Sequence, residues 1–222
     1  MIYILNIETS TRNCSVSISQ NGETIACREV AEIGFSHAER LHVFFEEVLK
    51  DCNITFNQLD AVAVSQGPGS YTGLRIGVSA AKGLCYSLNI PLIAVDTLEI
   101  LAKKLVVQSG FIIPMIDARR MECYTAIFDQ SYQKVRPVLA EIITENSYQD
   151  IDETIHLIGD GTEKCKTILT QNKFVFHDEI LFPSANEMAQ LAFEKYKKSD
   201  NVDVAYFEPF YLKEFYNPLV SK

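Results

Sequence analysis

The stretch IYILNIETSTRNCSVSI, residues 2–18, decides how the rest of the chain is read. Ile2 to Ile7 is an apolar run broken only by Asn6, the pattern of a buried strand. Glu8-Thr9-Ser10-Thr11-Arg12-Asn13 is polar and turn-forming. Cys14 to Ile18 then alternates small or polar with apolar residues, the period-2 signature of a half-buried strand. Residues 111–128, FIIPMIDARRMECYTAIF, repeat the plan. Phe111 to Ile116 is apolar, Asp117-Ala118-Arg119-Arg120 is a polar turn, and Glu122 to Phe128 alternates. In both halves an acid lies six positions before a cysteine, Glu8 before Cys14 and Asp117 before Cys123. Such a restart predicts a duplicated α/β chain of two lobes.

Outward from the first stretch, Asn21-Gly22 is a hairpin signal because both residues tolerate positive φ. Thr24 to Val30 returns as a third strand. Ser36 and Glu39 form a capping box, and Leu41, Phe44, Phe45, Val48 and Leu49 share one face of the helix that follows. Ala61–Ser65 reads as a strand, Gln66–Ser70 as a tight loop, about Tyr71–Leu88 as a helix and Leu92–Val95 as a strand. Asp96-Thr97 caps a helix carrying Leu98, Leu101, Ala102 and Leu105. Beyond the restart, strands are expected at Val135–Ile143, Ile155–Ile158 and Phe174–Phe176, with a helix at Thr162–Leu169. Ser184 and Glu187 make a second capping box, opening a helix with Met188, Leu191, Ala192 and Tyr196. The lobes are expected at residues 1–103 and 104–222, with the last helix free to pack back across them.

Composition narrows the function classes. The chain has 222 residues, 47% of them hydrophobic and 22% charged, so a sizeable core is expected rather than disorder. The formal net charge is −9, and no Lys/Arg run exceeds two residues. Direct nucleic-acid binding, which relies on Lys and Arg meeting phosphates, is therefore not expected of the chain alone. The six cysteines show no CxxC spacing, which fits reduced thiols in a cytoplasm. The opening apolar run is too short for a signal core, and no run reaches the ~20 residues that span a bilayer.

Two motifs carry candidate chemistry, each with an alternative. In Glu8-Thr9-Ser10-Thr11, hydroxyls and free amides can hold phosphate oxygens while the acid orients a metal-bound water. The reading favoured by the residues alone is an ordinary polar hairpin turn, since short Ser/Thr runs are common in turns. Gly67-Pro68-Gly69-Ser70-Tyr71-Thr72-Gly73-Leu74-Arg75-Ile76-Gly77 sets glycines before a helix N-terminus, as anion-binding loops do. It lacks both the Lys-Ser/Thr pair of a Walker A loop and the GxGxxG pattern. In the helix that follows, Gly73, Gly77 and Gly83 each cost up to about 1 kcal/mol relative to alanine, so a close backbone approach is expected. Gly73, Gly77, Ala80 and Leu84 share a smooth face; Arg75, Ser79, Lys82 and Tyr86 form the polar stripe. So wide an apolar arc needs cover on two sides, from helix 37–49 of the same chain or from a partner as well. Of the four histidines, His37 and His42 diverge by about 140° on a helix, and no HExxH or GxSxG motif is present.

Ile7-Glu8-Thr9-Ser10, the glycine motif of residues 67–77 and Ala81-Lys82-Gly83-Leu84 together resemble the TsaB (YeaZ) family. Ile116–Tyr124 and Glu208-Pro209-Phe210-Tyr211-Leu212-Lys213 support the likeness, which spans nearly the whole chain. The resemblance implies a duplicated two-lobed actin-like fold (ribonuclease H-like), of the type shared with sugar kinases and Hsp70. It implies a role in making N6-threonylcarbamoyladenosine at position 37 of tRNAs that read ANN codons. It also implies that this chain is the non-catalytic partner, with ATP and metal held by TsaD and TsaE, and that alone it forms homodimers through first-lobe helices. The chain departs from the catalytic relatives in lacking their paired metal histidines. A clear glycine-rich nucleotide loop in the second lobe is also missing, and Gly159-Asp160-Gly161 is its nearest remnant.

The expectations are therefore concrete. The chain is a cytoplasmic scaffold subunit with no cofactor or metal of its own, meeting tRNA only through TsaD and TsaE homologues. Its partner interface comprises Leu41, Phe44, Phe45, Val48, Gly73, Arg75, Gly77, Ala80, Ala81 and Leu84. A vestigial phosphate site is expected at Glu8, Thr9, Ser10 and Thr11. The alternative is a self-sufficient ATP-dependent phosphotransferase of the same superfold that uses Glu8 and the adjacent hydroxyls. A peptidase is a third reading, against which the missing histidine pairs speak.

Overall fold

The structure, a computed structural model, describes residues 1–31 and 37–213. Three strands open the chain: β1 (Tyr3–Glu8), β2 (Cys14–Gln20) and β3 (Glu23–Val30). They form an antiparallel meander. Asn21 and Gly22 turn β2 into β3 with φ of 52° and 91°, the left-handed pair a two-residue hairpin requires. Helix α1 (His37–Asp51) leads to β4 (Ala61–Gly67), and α2 (Tyr71–Leu88) to β5 (Leu92–Asp96). Both β4 and β5 run parallel to β1, as helical crossovers demand. The first sheet thus has the order β3-β2-β1-β4-β5.

Helix α3 (Thr97–Ala102) follows, capped by Asp96, whose carboxylate accepts from the Leu98 and Glu99 amides at 2.8 and 3.3 Å. The second half then repeats the first. Strands β6 (Phe111–Asp117), β7 (Glu122–Asp129) and β8 (Lys134–Ile142) are antiparallel. Strands β9 (Ile155–Ile158) and β10 (Phe174–Phe176) run parallel to β6. The sheet order β8-β7-β6-β9-β10 matches that of the first lobe strand for strand. This is the duplicated α/β architecture expected from the restart near residue 110.

Three local expectations are corrected or lie outside the described residues. The helix expected at Thr162–Leu169 is only a short 3-10 turn, Glu163–Cys165, with further turns. Its bonds close mostly over three residues, Cys165 to Thr162 and Ile168 to Cys165, because the chain must turn back at once to start β10. The second capping box does not form. Helix α4 (Met188–Lys197) begins after Glu187, and the Ser184 hydroxyl instead meets the Ser15 hydroxyl of β2 at 3.2 Å. Ser36 of the first capping box lies outside the described residues.

The lobes exchange helices. Leu5, Ile7, Val16 and Ile18 on one face of the first sheet pack with Leu41, Phe45 and Val48 of α1 and Val78 and Ala81 of α2. The opposite face, Ile4, Ala61, Ala63 and Ile93, is covered by Met188 and Ala192 of α4, a helix that follows the second sheet. Reciprocally, Leu98, Leu101 and Ala102 of α3 leave the first sheet and pack on Ile112, Ile116, Ala126 and Phe128 of the second. The sheets therefore sit as two lobes bridged twice.

Candidate functional site: the interlobe cleft and the α1–α2 face

A cleft of about 580 Å3 opens between the lobes. Its first-lobe wall comprises Ser10, Thr11 and Arg12 of the β1–β2 turn, His37, and Gly69 to Thr72 at the start of α2. Ser70 caps that helix, its hydroxyl accepting from the Gly73 amide at 3.3 Å. The second-lobe wall is Ile116 to Arg119, Tyr124 and Asp160. Asp117 accepts from the Arg119 amide at 2.9 Å and pairs with Lys164, while its own amide donates to Asp160 at 3.0 Å. Burial raises the Asp160 carboxyl above its ordinary range.

Phe210 to Lys213 complete the cleft as a strap. The Phe210 amide donates to the Gln66 carbonyl at 2.7 Å, Tyr211 lies against Tyr71 with ring centres 4.9 Å apart, and Lys213 pairs with Glu122 across the gap. Upstream, Lys82 of α2 donates to the carbonyls of Ala205 and Phe207, each at 3.0 Å.

Of the four candidate phosphate-site residues, the structure brings two to the cleft and withdraws two. Glu8 is fully buried. One carboxylate oxygen accepts from the Ser10 amide (2.6 Å), the Ser10 hydroxyl (2.5 Å) and the Ser65 hydroxyl (3.1 Å). The other has no partner among the described residues. Burial therefore dominates and pushes the carboxyl up to about 7, against the pull of those donors. Thr9 turns under α2, where its hydroxyl donates to the Gly73 carbonyl at 2.8 Å. An acid so enclosed does not face the cleft, which corrects its expected role of orienting a metal-bound water there. Among the described residues no three His, Cys, Asp or Glu side chains gather to hold a metal ion.

The expected partner face is corrected more heavily. Leu41, Phe44, Phe45 and Val48 are buried in this chain's own first-lobe core, as is Ala81. A Cβ on Gly73 would collide with the Thr9 carbonyl, and one on Gly77 with the Thr9 hydroxyl. The smooth stripe exists because α2 lies directly on the β1–β2 turn of its own chain. Ala80 and Leu84 are half-buried against the same core, and only Arg75 of the ten residues is exposed. Gly83, by contrast, has nothing within 4 Å of a built Cβ. The outward surface includes Arg75, Ser79, Gly83 and Tyr86 on α2 and Val43 on α1; Tyr86 is 86% exposed. Serine, glycine and lone aromatic residues at helical spacing are a weak signal; of these residues only Arg75 was among the expected interface.

This geometry has relatives. A family model described as "TsaD: tRNA N6-adenosine threonylcarbamoyltransferase" matches residues 31–213. A Haemophilus influenzae protein named "tRNA threonylcarbamoyladenosine biosynthesis protein TsaB" is 30% identical, over 95% of this chain and 93% of its own. This chain belongs to the TsaB (YeaZ) family. The Escherichia coli TsaB is 28% identical, over 95% of this chain and 94% of its own. The solved YeaZ from Pseudomonas aeruginosa superposes with a TM-score of 0.84 over 96% of this chain and 100% of that one, at 24% identity. That likeness establishes the two-lobed fold. Within this chain, the sequence motifs that carried the resemblance prove to be the cleft's inner wall, the α2 approach and the strap. Tyr124 and Asp160 lie in stretches singled out from sequence, but that they and Arg12 wall one cleft was not legible there, because they meet only when the two lobes face each other. No helix among the described residues is long and apolar enough to cross a membrane.

Proposed function

We propose that this chain is the non-catalytic partner subunit in tRNA threonylcarbamoyladenosine biosynthesis, acting in the cytoplasm with TsaD and TsaE homologues. The observation that carries the reading is the end-to-end correspondence with proteins named TsaB, 95% of this chain against 93% of the H. influenzae protein. The buried Glu8 supports the non-catalytic part: its carboxylate is held by Ser10 and Ser65, away from the cleft. On this reading ATP and metal are handled by the partners, and tRNA is met through them. The match to a TsaD family model over residues 31–213 favours a partner built on the same plan. On this reading the exposed stripe Arg75, Ser79, Gly83 and Tyr86 offers first-lobe surface to that partner, or to a second copy when the chain is alone.

The test is reconstitution. The chain is expected to co-elute with its TsaD counterpart and to restore tRNA modification when added to TsaD and TsaE. Alone it should turn over no ATP. Turnover by the isolated chain at ordinary enzyme rates, lost in Glu8→Gln, would establish the phosphotransferase alternative instead.

A further inference from the structure

Two thiols face each other behind the second-lobe wall of the cleft. Cys123 on β7 and Cys165 in the 3-10 turn after β9 are both fully buried, and their Sγ atoms stand 4.0 Å apart. Both also approach the Gly161 carbonyl, at 3.6 and 3.2 Å. Gly161 permits this crowding, since a Cβ there would press on the Cys123 sulfur at 3.0 Å. The hydrogen bond from Cys123 lowers the Cys165 thiol against the opposing effect of burial. No other thiol–thiol hydrogen bond occurs among the described residues; Cys14 and Cys85 are equally buried without a sulfur neighbour of this kind.

The two sides of the pair differ in how firmly they are held. Cys123 sits in a strand paired on both sides, to Asp117 of β6 and Glu141 of β8. The backbone bonds from Thr162 to Thr170 are local, closing within the turn itself. Segments held this way open at lower free energy than strand interiors. Cys14, within β2, and Cys85, inside α2, have no such freedom.

We propose that Cys123 and Cys165 form an oxidisable dithiol, which a hydroperoxide converts into an intramolecular disulfide. The Cys165 sulfur attacks one peroxide oxygen, giving a sulfenic acid and releasing one molecule of water (of the alcohol, for an organic peroxide). The Cys123 sulfur then attacks the sulfenic sulfur, the S–S bond forms, and the hydroxyl leaves as water with the second thiol proton. Two thiols are oxidised and the peroxide O–O bond is reduced, so the step balances. The turn, whose backbone bonds are its own although Cys165 and Leu169 pack in the second-lobe core, supplies the approach from 4.0 Å to the bonded distance of about 2.05 Å. The bond ties to β7 the turn bearing Asp160 and Lys164, the two residues that hold Asp117 at the cleft.

The reduced full chain is treated with graded hydrogen peroxide, remaining thiols are alkylated under denaturing conditions, and peptides are mapped by mass. A reversible 123–165 cross-link, two hydrogens lighter, is expected to form about tenfold or more faster than the Cys14 and Cys85 thiols disappear. Cys165→Ser should abolish the cross-link and leave Cys123 open to alkylation. Recovery of Cys123 and Cys165 as free thiols, under conditions that oxidise the half-exposed Cys27 and Cys52, would overturn the proposal. So would conversion of either residue to a sulfinic acid without the link.

Discussion

The turn after β1 and the turn after β6 occupy the same place in two copies of one topology, yet their acids have opposite fates. Glu8 is fully buried, whereas the Asp117 side chain is 48% exposed. The strand registers explain why. Glu8 pairs with Ser15 and lies on the α4 side of its sheet, the side of Asn6 and Ser65. Asp117 pairs with Cys123 and lies on the other side, beside Lys164 of the turn that stands where α2 stands in the first lobe. Successive residues of a strand face opposite ways, so Asp117 shares the facing of Ile7 and Thr9, and Glu8 that of Ile116. The equal acid-to-cysteine spacing in the two halves is therefore not a structural equivalence. Duplication preserved the backbone plan, while the chemistry of each turn followed whatever covers it.

The cover differs throughout. In the first lobe α1 and α2 lay Leu41, Phe45, Val48 and Val78 over the sheet. In the second, turns stand in for both helices, and a polar knot holds one of them. Glu141 accepts from Thr125, Arg136 and the Tyr148 hydroxyl, the last at 2.8 Å. Both lobes keep an apolar core, and the second adds this polar knot to it.

The sharpest way to break this contrast is Phe45→Ala, which should lose about 3–5 kcal/mol of stability in chemical denaturation, the usual cost of emptying an aromatic core site. A loss below about 1 kcal/mol would mean α1 is not the first lobe's main cover. Next comes Glu8. Its carboxyl rises from 4.5 unfolded to about 7 folded, so the unfolded chain binds fewer protons across that window. Stability should fall as pH rises from 4.5 to 7, by up to about 3 kcal/mol. Glu8→Gln should remove that part of the dependence and be the more stable protein at neutral pH. Parallel pH profiles for the two proteins would mean that Glu8 is not held dry.

Gly77→Leu should cost about 1–3 kcal/mol by overpacking on Thr9. If it instead leaves the melting temperature unchanged while weakening association, the stripe is an interface after all. Tyr148→Phe should cost about 1–2 kcal/mol through the lost hydrogen bond to Glu141, read as a lower denaturation midpoint with an unchanged slope. The smallest effect is a gain. Gly83→Ala should add about 0.5–1 kcal/mol, since the position is open and helical. Retained stability with lost binding to the TsaD counterpart would mark Gly83 as a contact.

Much of this was legible without coordinates. Period-2 alternation, the Asn21-Gly22 turn, the Asp96 cap and the restart near residue 110 gave both sheets and their duplication, because hydrophobic period and turn chemistry are local properties. Gly73 and Gly77 of α2 correctly signalled a close approach, whereas Gly83, of which the same was expected, is open. Sequence could not say to what: Thr9 lies more than sixty residues away, and a helix face looks the same whether a turn of its own chain or another molecule covers it. The cleft walls, the crossing of α3 between lobes and the Cys123–Cys165 contact were likewise decided only in three dimensions. They depend on how two separately legible sheets are set against each other, and that setting is a long-range packing outcome that no local pattern encodes.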